Sequence, residues 1–159
     1  PEGQLANENI VGNRGGVNSG LGAVFLVDTR DNVANATKGR FLEVSSYFYG
    51  RYVGGDFRYT NVLGTYNQYW RLPWGRDHFL ASNTFVNLNF GNPPFVHLSP
   101  AGGEDILRGY PRNRYRDLRF LGTQLEYRMP LFWRIGVVGF AGVGEVFDRF
   151  SDVRLDNLK

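Results

Sequence analysis

The sequence predicts an all-β fold, an antiparallel transmembrane β-barrel, and three observations carry that expectation. Six successive stretches alternate apolar and polar residues with the period of two that a strand imposes on its side chains. The 159 residues include 13 Phe, 9 Tyr, 3 Trp and 21 Gly, the aromatic and glycine-rich composition that membrane barrels favour. No window approaches the roughly 18 consecutive apolar residues of a transmembrane helix, which does not make the protein soluble, because membrane strands alternate and look unremarkable in average hydropathy.

Pro1 to Gly20 is rich in Asn and Gly without periodicity and is expected to be a loop or disordered segment, with the barrel domain over residues 21–159. The first strand starts at Leu21 and runs to Asp28. Turn-forming residues from Asp28 to Gly39 then lead into a second strand, Arg40 to about Gly50, in which Leu42, Val44 and Phe48 oppose Glu43, Ser45 and Tyr47. Gly54-Gly55-Asp56 turns the chain into a third strand, Phe57 to Leu72. A fourth, His78 to Phe90, sets Leu80, Val86, Leu88 and Phe90 against Asn83, Asn87 and Asn89, an asparagine ladder polar enough to line water. The fifth strand, Phe120 to Met129, is separated by the turn Pro130-Leu131-Phe132-Trp133 from the sixth, Arg134 to Phe147. No α-helix or second domain is expected.

Antiparallel parity assigns the ends. The turns after Asp28, Leu72 and Pro130 share one end, and two of them carry Trp70, Trp74 and Trp133, as an aromatic belt at one membrane interface would. The longer connections share the other end. The longest runs from about Gly91 to Asp117 and contains Leu107-Arg108-Gly109-Tyr110, where a compact turn could aim the Arg108 guanidinium inward. An inward charge needs an acceptor. In the strand that follows, Gly122, Gln124, Glu126 and Arg128 share a face, so Arg108 is expected to pair with Glu126 inside a barrel; the alternative is a solvated loop arginine.

The formal charge of +3 is too small and scattered for a nucleic-acid partner. Arg108, Arg112, Arg114, Arg116 and Arg119 would suit phosphate or lipid A groups as well as internal carboxylates. Cysteine is absent, which excludes disulfides and thiolate metal sites. His78 and His97 stand apart from any metal-ligand spacing and read as turn and loop histidines, Glu104-Asp105 and Asp28/Asp31 read as turn caps, and the glycines from Gly136 to Gly144 match no dinucleotide or phosphate loop. No enzyme, metal or cofactor is expected.

Four motifs together resemble one family, the BamA/TamA type of outer-membrane barrel in the bacterial surface antigen superfamily: Asp28-Thr29-Arg30-Asp31-Asn32 with Lys38-Gly39; Leu107-Arg108-Gly109-Tyr110; Gln124-Leu125-Glu126-Tyr127-Arg128 with Pro130; and Gly139-Phe140-Ala141-Gly142-Val143-Gly144. The resemblance implies a protein of the bacterial outer membrane, in contact with its lipids, that inserts or translocates unfolded outer-membrane clients or secreted substrates. It also implies a loop arginine folded into the barrel and bonded to acidic groups on the adjacent wall, with Glu126 at one such position. Gly142 stands where the family usually has an aspartate, a loss for which Glu145 or Asp148 could compensate. Other readings are a passive, porin-like or lipid-scaffolding barrel and a soluble ligand-binding β-barrel. The common polar face of the fourth and fifth strands counts against the last, because such a face is costly in an apolar cavity. Six strands are fewer than the eight of the smallest single-chain outer-membrane barrels, so the domain is expected to be incomplete at its C-terminus and to belong to a barrel of eight or more strands.

Overall fold

The computed structural model describes residues 10–74, 77–103, 107–109, 111, 115–133 and 135–149. Six long strands, β1 (Gly20–Asp28), β2 (Gly39–Tyr49), β3 (Tyr59–Arg71), β4 (Phe79–Gly91), β7 (Arg119–Phe132) and β8 (Ile135–Phe147), form one antiparallel sheet in the order β1-β2-β3-β4-β7-β8. The fold is all-β and antiparallel. β1 and β8 lie at opposite edges of the sheet and do not pair with each other.

Two features of the connections depart from the sequence reading. The long segment between β4 and β7 contains its own small hairpin, β5 (Ser99–Ala101) with β6 (Tyr115–Asp117), and a single 3-10 turn at Phe95–His97. These three-residue strands are too short to show alternation, so periodicity could not reveal them. The expected turn at Pro130 is the second departure: β7 continues through a register shift between Pro130 and Phe132, and the chain reverses at Trp133, which has φ +52°. Pro130 donates no ladder hydrogen bond, and an irregularity is where a strand accommodates that loss.

Cross-strand register gives each side chain a face. Leu42, Val44, Leu80, Val86, Leu88, Leu121, Leu125 and Tyr127 all fall on one side, through pairs such as Leu42↔Tyr66, Val86↔Leu121 and Leu80↔Tyr127. Glu43, Asn83, Asn87, Gln124, Glu126 and Arg128 fall on the other, where Asn67↔Asn83 and Asn83↔Gln124 align a row of amides across three strands. The apolar face is covered by nothing among the described residues: Phe25, Phe48, Leu121 and Leu125 are all exposed. The polar face instead receives the β4–β7 connection. Ala101, Leu107 and Phe120 form a buried cluster there with Phe85, Tyr115 and Val146 packed around it.

At the same end of the sheet, residues 10–19 form a hydrogen-bonded loop, with Phe95 N donating to Val11 O and Asp56 N to Val17 O. Trp70, Trp74 and Trp133 are exposed at the opposite end.

A charge on the apolar face should therefore be far more damaging in a bilayer than one on the polar face. Leu125→Arg is expected to destabilise folding into lipid vesicles by about 2–4 kcal/mol and Asn67→Arg by much less, measured by denaturant titration of the reconstituted protein. Equal effects would mean that the sheet does not lie in lipid, and a larger cost for Asn67→Arg would mean that the faces are reversed.

Candidate functional site: the connection docked on the polar face

The connection between β4 and β7 is attached to the sheet at two points. The first is a buried amide and hydroxyl network. Asn89, fully buried on β4, donates through Nδ2 to His97 O and to Ser99 Oγ, both at 3.1 Å. The Ser99 hydroxyl, also fully buried, lies 3.0 Å from both Asn87 O and Leu118 O. Asn61 on β3 donates to Asn87 Oδ1 at 2.8 Å and to Asn89 Oδ1 at 2.9 Å. Part of the asparagine ladder thus holds the connection down instead of lining water. Buried amides are stable only with such partners, which is why the same residues that would be costly near lipid are effective here.

Leu107 and Arg108 make the second attachment. Leu107 is buried against Phe120 and has φ +58°, a left-handed conformation unusual for a leucine. The backbone freedom expected of the neighbouring glycine is used elsewhere: Gly109 is outside the left-handed region and has open space around it. Room for Leu107 comes from β8, because a Cβ at Gly144 would lie 3.1 Å from Leu107 Cδ1 and 3.1 Å from Phe120 Cε2. Gly144 faces Gly122 across the β7–β8 ladder, and the two together form a shallow depression for the leucine.

With Leu107 seated, Arg108 Nη2 lies 2.6 Å from Glu126 Oε1. The Arg108 guanidinium carbon is also 5.2 Å from the ring centroid of Phe140, the residue paired with Glu126 across the ladder. Glu126 receives donors from three side chains, Arg108 among them. Gln124 Nε2 reaches Oε1 at 3.1 Å, while Arg128 Nε and Nη2 reach Oε2 at 3.2 and 3.0 Å. One carboxylate therefore lies between two guanidiniums. The side chain of Glu126 is 12% exposed and that of Arg108 37%, which places the pair between a surface bridge and a buried one.

Gly142 stands beside Gln124 on the polar face and contributes no second acid. Neither proposed substitute supplies one: Glu145 pairs with Leu121 on the apolar face, and Asp148 is exposed and lies 3.9 Å from Arg149. Phe140 was missed by the sequence reading as a partner of Arg108, although its place one rung from Gly142 follows from alternation once the register is known. Tyr110, Arg112, Arg114, Glu104, Asp105 and residues 150–159 lie outside the described residues.

The turn motif forms a second ordered unit at the opposite end. Arg30 donates through Nε and Nη2 to Asp28 at 2.9 and 2.7 Å, with its guanidinium over Phe41. Asp31 accepts from the Thr37 amide and hydroxyl and from the Lys38 amide. Gly39 has φ +98°, and a Cβ there would overlap Thr29 O, so a glycine is required where the chain re-enters β2.

The described residues contain no group of His, Cys, Asp and Glu that could hold a metal ion. His78 instead contacts the Tyr127 hydroxyl through Nδ1 at 2.6 Å.

The model of the Omp85 superfamily domain matches residues 13–156, nearly the whole chain. This chain belongs to the Omp85 superfamily. Members are outer-membrane or organellar outer-membrane β-barrels of membrane-protein assembly and translocation, and are generally not enzymes. No curated protein matches the chain. In Omp85 terms, the connection docked on the polar face is an extended loop lying against the barrel wall.

Two measurements probe these units. A double-mutant cycle on Arg108→Ala and Glu126→Ala should give a coupling of about 1–2 kcal/mol, above the roughly 0–1 of exposed pairs and within the roughly 0.5–3 of residues in contact. Strict additivity would contradict the observed contact. For the turn, the Thr37 hydroxyl and the amides bonded to Asp31 hold that carboxyl well below the usual range. A carboxylate with a depressed folded-state pKa stabilises at pH above its unfolded value, about 3.9, and the contribution fades as pH falls below that. Amide-exchange protection of Thr37 and Lys38 should hold from pH 7 to about 5 and weaken only below about 4. Asp31→Asn, which keeps a carbonyl acceptor without the charge, should remove that acid dependence.

Proposed function

We propose that this sheet is a sector of a larger outer-membrane barrel that inserts or translocates proteins, and that its β4–β7 connection acts as an internal brace. The observation that carries this reading is the two-point docking of the connection on the polar face, through Asn89 and Ser99 at β4 and through Leu107 and Arg108 at β7 and β8. A wall that must open or flex beside its clients gains a fixed sector against which the rest can move.

The open sheet supports the larger barrel. Unpaired edges expose N–H and C=O groups that lipid cannot satisfy, so β1 and β8 would need strand partners in a bilayer. Glu126 is the acceptor in the brace, and Arg128 and Phe140 orient it and Arg108. The exposed Trp70, Trp74 and Trp133 would lie at the periplasmic interface, and the apolar face would contact lipid.

Reconstitution tests the assembly role. The full-length natural protein in liposomes should accelerate folding of an unfolded barrel client severalfold over empty liposomes, and Arg108→Ala should remove most of that acceleration while the protein itself still folds. Equal rates with and without the protein would leave a passive barrel as the better reading.

A further inference from the structure

A cavity of about 290 Å³ lies on the polar face between β2, β3, β4 and the connection, away from the Arg108–Glu126 pair. Its walls are Tyr47 and Tyr49 from β2, Tyr59, Asn61 and Leu63 from β3, Asn87 and Asn89 from β4, and residues from Val96 to Pro100 of the connection. The chain builds this space in a specific way. A Cβ at Gly22 would overlap the ring of Tyr47, and one at Gly20 would lie 2.7 Å from Cδ1 of Tyr49, so the two rings lean onto bare β1 backbone. Tyr49 then stacks on the buried Tyr59, with centroids 4.3 Å apart and planes within 9°.

The wall chemistry is neutral. Its lining holds no Asp, Glu, Lys or Arg. Asn61 uses its amide nitrogen on Asn87 and Asn89, which leaves its carbonyl oxygen as an acceptor. His97 Nε2 lies 3.0 Å from Asn18 Nδ2. The imidazole therefore adds a polar ring to the wall, whose donor and acceptor nitrogens follow its tautomer. Tyrosine rings, asparagine amides and an imidazole thus line a space near the lower end of ligand pockets, roughly 300–1,000 Å³. Phosphates and carboxylates would find no cation here, and amines no anion. A ligand with an apolar ring face and hydroxyls that both donate and accept fits every wall.

We propose that this cavity binds one ring of a neutral saccharide, either free or as the glycan headgroup of a lipid. The site is independent of the assembly role, so either could fail alone.

The test uses the full-length natural protein folded in lauryldimethylamine oxide micelles, because glucoside and maltoside detergents would themselves compete. Saturation-transfer NMR and calorimetry with glucose, galactose, N-acetylglucosamine and maltotriose form one arm, and a neutral glycosyl diacylglycerol in the same micelles forms the other. Binding in the first arm identifies recognition of the free ring, and binding only in the second identifies a lipid-borne headgroup; either supports the site. Val96→Trp narrows the cavity at an exposed position without touching the Asn89 network and should weaken binding at least tenfold, as should His97→Ala, with folding checked by heat-modifiable mobility. The proposal is overturned if neither arm binds, if only an anionic phosphorylated glycan binds, or if both variants bind as tightly as the parent.

Discussion

The carboxylate of Glu126 is the group on which the polar face depends. A largely buried negative charge on a sheet is tolerable only if its solvation is replaced, and here two guanidiniums and an amide replace it. Arg128 comes from the same strand and the same face, so it is delivered by alternation alone. Arg108 has to be brought from a segment that would otherwise be free to extend into solvent. The ion pair therefore specifies the position of the connection more than it contributes to stability, consistent with Arg108 remaining partly exposed.

That specification works because other contacts remove the alternatives. Leu107 fills the depression over Gly122 and Gly144, and Ser99 with Asn89 fixes the segment earlier in the connection. Apolar anchoring and a satisfied buried polar network complement each other: the first supplies burial without direction, the second direction with little net stability. With the segment held at Ser99 and at the adjacent Leu107, the Arg108 guanidinium has few places to go. Phe140 on the neighbouring strand completes the setting with its ring beside the charge, on a strand that presents glycine where a second acid could have stood.

Glycine has two distinct uses across this sheet. On β7 and β8 it admits a side chain from the connection, whereas on β1 it admits rings from the adjacent strand, and the tyrosines so displaced help to shape a neutral cavity. The polar face consequently carries a charged cluster around Glu126 and, apart from it, a neutral cavity beside Asn61 and His97. The same connection lies over both, which places two chemically different environments under one loop.

The sequence by itself determined the antiparallel all-β class, the six long strands, and which side chains share a face, because alternation is local and needs only neighbours two residues apart. It also pointed to Asp28, Arg30, Asp31 and Gly39 as a turn and to Arg108 and Glu126 as chemically complementary. Only the tertiary structure decided that Leu107, not Gly109, takes the left-handed conformation, that Asn89 binds Ser99 instead of water, that Phe140 flanks the arginine, and that Glu145 faces away from it. Each of those depends on register between strands and on the path of a long connection. Period-two patterning assigns residues to a face but is silent about which residue from a distant segment comes to lie above them.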